Sequence, residues 1–131
     1  MIVVDTSAIL RALVDERPDA TLVERLAGAP MHVPHLIDAE VLHALRGLVL
    51  GRKISPDRAN DARRDFAALP FTRYPMRDLG ERVWNLRDNL TAYDACYVAL
   101  AEALDCPLVT SDAKLKKASG HYAEVEVYPP A

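Results

Sequence analysis

The chain has 131 residues, 50% of them hydrophobic and 27% charged, enough for one core without disulfides or a structural metal, and a single domain over residues 1–131 is expected. Sixteen basic and nineteen acidic residues leave a net charge of −3, which argues against a protein that grips nucleic acid through bulk positive charge. Met1 leads straight into a strand-like run, and no apolar stretch approaches the roughly 18 residues that span a bilayer, so a cytoplasmic protein with no membrane partner is expected.

Residues 2–5 read as a short buried strand, followed by a helix over 8–14 opened by Thr6 and Ser7. A second helix over 19–26 is stopped by Gly28 and Pro30, and a second strand over 31–33 ends at Pro34. Ile37, Val41, Ala44, Leu45 and Leu48 recur at helical spacing within 36–50, and Gly51 supplies a stop. Ser55 before Pro56 is an N-cap with proline at the first helical position, starting a helix that runs to about residue 69. A third strand is expected over 71–74 and a helix over 77–86. Thr91 opens a helix to Leu104 that is apolar almost all round, and so is expected to pack on more than one side. A strand at Leu108 and Val109, a short Lys-rich helix from Asp112 and a strand over 125–128 complete the chain. This alternation predicts a three-layer α/β/α sandwich around a mostly parallel central sheet.

Cys96 and Cys106 fall on the same expected helix, with Cα atoms about 15 Å apart, too far for a disulfide. Neither has a further Cys or His at zinc spacing, so both read as small core residues. His32, His35, His43 and His121 show no metal-binding spacing among themselves, and no phosphate-binding glycine loop or serine-hydrolase elbow is present. Ten cations lie between Arg46 and Arg87; Arg46, Arg52, Lys53, Arg58, Arg63, Arg64, Arg82 and Arg87 read by default as solvated helix faces, of which a minority could line an RNA path.

Four acids stand where such a fold places functional groups. Asp5 ends the first strand and Asp112 follows the last strongly apolar one, while Glu40 and Asp94 lie near the starts of the two most apolar helices. Ligands of parallel sheets bind beyond the carboxyl ends of the strands. Carboxylates gathered there repel: a pair 4 Å apart costs about 4 kcal/mol at an effective dielectric near 20. Such a cluster protonates or holds a divalent cation, and an all-oxygen donor set favours Mg²⁺ or Mn²⁺ over zinc. Each acid also has a plainer role. Asp5, Thr6 and Ser7 compete for one N-cap, Thr91 to Asp94 resembles a capping box, and Thr110, Ser111 and Asp112 all suit the cap of the Lys-rich helix. Glu40 and Asp38 border opposite edges of one apolar stripe, and periodicity does not choose between them.

The run Ile2-Val3-Val4-Asp5-Thr6-Ser7, Glu40 after a strand and proline, the run from Tyr93-Asp94-Ala95-Cys96-Tyr97 to Ala101, and Leu108-Val109-Thr110-Ser111-Asp112 with Leu115 together resemble a PIN domain of the VapC ribonuclease toxin type. The resemblance spans essentially the whole chain, although residues 51–89 match only in helical character. It implies a metal-dependent endoribonuclease of a type II toxin–antitoxin system, with Asp5, Glu40, Asp94 and Asp112 as metal-binding and catalytic acids and Thr6 and Thr110 orienting them. It selects Glu40 over Asp38. It also implies Mg²⁺ (or Mn²⁺) as cofactor, an RNA substrate, a cognate antitoxin that masks the acidic pocket, and a homodimer. The rival reading from another class is a catalytically inactive PIN-like module that binds RNA or a partner; its mark would be a lost acid, and all four are present. A receiver-type phosphoacceptor is disfavoured because Asp5 is followed by Thr6 and Ser7 where that design needs an acidic pair.

Overall fold

The computed structural model describes residues 1–130. Five strands form one sheet in the order β3-β2-β1-β4-β5, and every neighbouring pair is parallel. They are β1 (Ile2–Val4), β2 (Met31–Pro34), β3 (Phe71–Tyr74), β4 (Leu108–Thr110) and β5 (Val125–Val127). No residue of β1 or β4 is exposed. Successive strand residues point to opposite faces, so both faces of the central sheet are covered, which makes the architecture a three-layer α/β/α sandwich.

Seven α-helices supply the covers: α1 (Thr6–Val14), α2 (Ala20–Ala27), α3 (Ile37–Leu50), α4 (Pro56–Ala67), α5 (Gly80–Asn85), α6 (Ala92–Leu104) and α7 (Ala113–Lys117). α6 packs across β1, β2 and β4, and α1 packs on β4 with α2, α3 and α4 around it. Ala95 through Glu102 are all buried, which is the multi-sided packing expected of that helix. Small side chains permit the close approach. Asp105, in the left-handed region at φ 50°, ends α6. Cys106 therefore lies beyond the helix, which corrects the placement of both cysteines on one helix; both are free thiols. The helix expected over 77–86 begins as a 3₁₀ turn at Arg77–Leu79 before continuing as α5.

The topology prepares a site. The chain winds outward from β1 to β2 to β3, then returns past β1 to place β4 on its other side. Strand order reverses between β1 and β4, and the crevice beyond their carboxyl ends is the switch point where open α/β sheets bind ligands. Asp5 leaves β1 there, and Ser111 and Asp112 leave β4 there.

Candidate active site

Asp5 caps α1 and faces the crevice at the same time. Its Oδ1 accepts from the Ala8 amide at 3.1 Å and from Ser7 Oγ at 2.7 Å, while Oδ2 accepts from Thr110 Oγ1 at 2.6 Å. Thr110 Oγ1 in turn accepts from the Asp112 amide at 2.9 Å, and Ser7 Oγ accepts from the Ser111 amide at 3.0 Å. Side chains of the β1–α1 turn are thus stitched to the β4–α7 turn. The competition between cap and ligand disappears because a carboxylate has two oxygens with lone pairs to spare.

Glu40 reaches the crevice from the first turns of α3. Thr6 Oγ1 donates to its Oε1 at 3.0 Å and the Tyr97 hydroxyl donates to the same oxygen at 2.5 Å. Thr6 Oγ1 and the Tyr97 hydroxyl are also 3.0 Å apart. With Glu40 ionised the three oxygens share only two protons, and both are spent on Oε1. Among the described residues Oε2 accepts no hydrogen bond, which leaves it available to another partner. Asp38, the other candidate on this helix, turns away and takes Arg73 in a two-pronged pair, both contacts 2.8 Å.

Asp94 stands in the first turn of α6, where Thr91 Oγ1 accepts its amide at 3.2 Å. Asp112 caps α7 by accepting the Lys114 amide at 2.9 Å. All four acids line one cavity of about 250 Å³ together with Thr6, Ser7, Leu10 and Tyr97. Among the described residues none of the four forms an ion pair. A larger apolar cavity, about 330 Å³ beside α1 and α2, carries no titratable side chain.

The charges report the crowding. Burial pushes the Asp5 carboxyl up to about 6, against the bonds from Thr110, Ser7 and the Ala8 amide, and repulsion from Asp94 adds to the rise. Asp94 is raised by burial first, then by Asp112 and Glu40, with Lys114 opposing weakly. Burial and the bond to Glu40 push the Tyr97 phenol far above its ordinary range, so it stays a proton donor.

Four carboxylates, three neighbouring hydroxyls and no competing cation make a donor set suited to a hard divalent ion. Among the described residues no three His, Cys, Asp or Glu side chains are already arranged to hold an ion as they stand. A divalent ion in this cavity would therefore be touched directly by one or two of the carboxylates, with water reaching the others.

Tyr97 and Ser7 were not singled out from the sequence as site residues. Tyr97 sits in a helix that reads as core, and its one signal is spacing: three residues after Asp94, it shares that face of α6. Two of the cations expected to be solvated are structural instead. Arg58 donates to the Leu13 and Val14 carbonyls, and Arg82 pairs with the buried Glu102 through contacts of 2.7 and 3.0 Å.

A parallel sheet with its switch point lined by unpaired carboxylates and hydroxyls defines a PIN-type α/β/α domain. The PIN domain model matches residues 2–120. Ribonuclease VapC9 of Mycobacterium tuberculosis is 43% identical over 129 residues, covering 98% of this chain and 99% of the relative. Ribonuclease VapC1 of the same organism is 44% identical over 130 residues, covering 95% and 96%. The crystal structure of PAE2754 from Pyrobaculum aerophilum superimposes with a TM-score of 0.70 at 25% identity, over 95% of this chain and 82% of that one. The chain belongs to the PIN-domain family, within its VapC ribonuclease group. Ribonucleases of this group depend in general on a divalent metal ion, without the choice of metal being fixed by membership. Among the described residues no helix is long and apolar enough to cross a membrane.

Proposed function

We propose that Asp5, Glu40, Asp94 and Asp112 together bind Mg²⁺ or Mn²⁺ and that the chain hydrolyses RNA phosphodiester bonds as the endoribonuclease toxin of a cytoplasmic toxin–antitoxin pair. The observation that carries this reading is four carboxylates facing one cavity without a cation among them. When bound, the metal ion would neutralise the pocket for an approaching phosphate, polarise the phosphoryl oxygen and acidify attacking water.

The protein's own contribution is positioning. Thr110, Ser7 and the Ala8 amide hold the Asp5 carboxylate in one orientation, and Thr6 with Tyr97 holds Glu40 by one oxygen so that the other faces outward. The unbonded Glu40 Oε2 is suited to accept a proton from a water molecule aligned for attack on phosphorus. That attack breaks the bond from phosphorus to the 3′-oxygen, which leaves as an alkoxide and takes its proton from solvent water, while Glu40 returns the proton it accepted to solvent. Water as nucleophile gives a 5′-phosphate and a 3′-hydroxyl and no cyclic phosphate. The bond network costs nothing at the moment of reaction because it is formed beforehand. Several structures of this fold are described as VapBC, FitAB or toxin–antitoxin complexes, which supports an antitoxin partner; an antitoxin that masks the acidic pocket belongs to the same proposal. A homodimer is part of the same reading.

The test is cleavage of single-stranded RNA with Mg²⁺, with Mn²⁺ and with chelator, using Asp5→Asn and Asp94→Asn as controls. Both variants should fold and neither should cut. Full activity in either, or in chelator, overturns the assignment.

A further inference from the structure

Beside the carboxylate cavity lies a second cleft, about 360 Å³, lined by Ala39, Glu40, His43 and Tyr93. Glu40 belongs to both, so the cleft continues directly from the site. Its two sides come from α3 and from the start of α6. Tyr93 is 66% exposed, lies outside the hydrophobic core cluster, and its side chain makes no hydrogen bond among the described residues. Neither fold stability nor solubility calls for a large, idle ring at that position. His43 is exposed on the next turn of α3 after Glu40.

We infer that this cleft is a nucleobase subsite, in which the Tyr93 ring stacks on the base of a nucleotide flanking the bond to be cut and His43 lines the opposite side. This rests on the ribonuclease reading and deepens it. Three observations converge on that occupant. Single-stranded RNA is read by splaying bases onto aromatic faces, a contact every base can make. The cleft shares Glu40 with the acidic cavity, so a base held there keeps its own phosphate beside the acids. The chain carries net negative charge, so affinity must come from local contacts rather than a general electrostatic pull. Tyr93 would thus be a substrate-binding residue, with binding as its effect and not bond cleavage.

The experiment compares binding of two fluorescein-labelled probes in Ca²⁺: short single-stranded RNA of random sequence, and an abasic ribose-phosphate chain of the same length. Wild type should prefer the base-bearing probe by about tenfold, the worth of one stacked base. Tyr93→Phe should keep that preference and Tyr93→Ala should lose it, with unchanged melting temperature. Equal preference in wild type and Tyr93→Ala overturns the subsite while leaving the nuclease reading intact. So does a Tyr93→Ala variant whose only change is a weaker self-association on gel filtration, which would assign the ring to a protein interface. If wild type cuts no RNA in Mg²⁺, the nuclease reading falls and the subsite with it.

Discussion

Thr110 Oγ1 donates to Asp5 Oδ2 at 2.6 Å across 105 residues of sequence, joining the ends of two adjacent parallel strands. The same hydroxyl accepts the Asp112 amide, so one buried side chain fixes two of the four acids. Thr110→Val preserves volume but strips Asp5 of its donor and the amide of its acceptor. A loss of about 2 kcal/mol of stability is expected from the two orphaned groups, measured by urea unfolding. Thr110→Ser should lose less than half of that, and cleavage should fall in the same order.

Tyr97→Phe separates packing from positioning. The ring is 1% exposed and stays in place, while Glu40 Oε1 loses its shortest donor. Cleavage rate should drop about 10- to 100-fold, as when the supports of a metal ligand are removed, with melting temperature nearly unchanged. Tyr97→Ala should instead cost about 3–5 kcal/mol and threaten the fold.

Metal-free protein should be more stable in mild acid than at neutrality. Asp5 has its folded pKa raised from 3.8 to about 6. A raised value means the native state binds the proton more tightly than the unfolded chain does. The resulting stabilisation is complete below about pH 4 and is lost as pH rises through 6, a swing of roughly 3 kcal/mol. Added Mg²⁺ should reverse the trend, raising the melting temperature more at pH 7.5 than at pH 5, because the ligands must be deprotonated. Thermal melts across pH with and without Mg²⁺ check both signs.

Asp38 and Glu40 are predicted to behave oppositely. Asp38→Asn weakens a half-exposed pair with Arg73, worth at most about 1 kcal/mol, and should leave cleavage untouched. Glu40→Gln keeps shape and removes charge, and should reduce cleavage further than Tyr97→Phe does. Parallel RNA-cleavage assays on the two variants decide it.

β1 and β4 were legible as short apolar runs closed by polar turns, β2 and β3 by the prolines at their ends, and α6 because apolar residues surround it almost completely. The end of α6 at Leu104 was legible too, but not its cause: Asp105 terminates it through a left-handed backbone that an aspartate only sometimes adopts. At the site, Asp5 and Asp112 presented as either caps or functional acids, and both cap a helix while lining the cavity. Asp38 and Glu40 looked equivalent on a helical wheel; what separates them is Arg73 on one side and Tyr97 on the other, partners 35 and 57 residues distant. Contacts that remote leave no local periodicity to read. Tyr97 itself was hidden for the same reason.

The pocket's walls come from four separate stretches, the last of them reached only after β4 has been laid against β1. The residues before β4 carry three of the four acids, and Glu40 meets Thr6 and Tyr97 within that part of the chain. What β4 and the turn after it add is Thr110, which donates to Asp5, and Asp112, the fourth acid of the cavity. The pocket is therefore complete only where β4 lies beside β1, so a chain cut short before residue 108 keeps three of the acids but not the cavity they share.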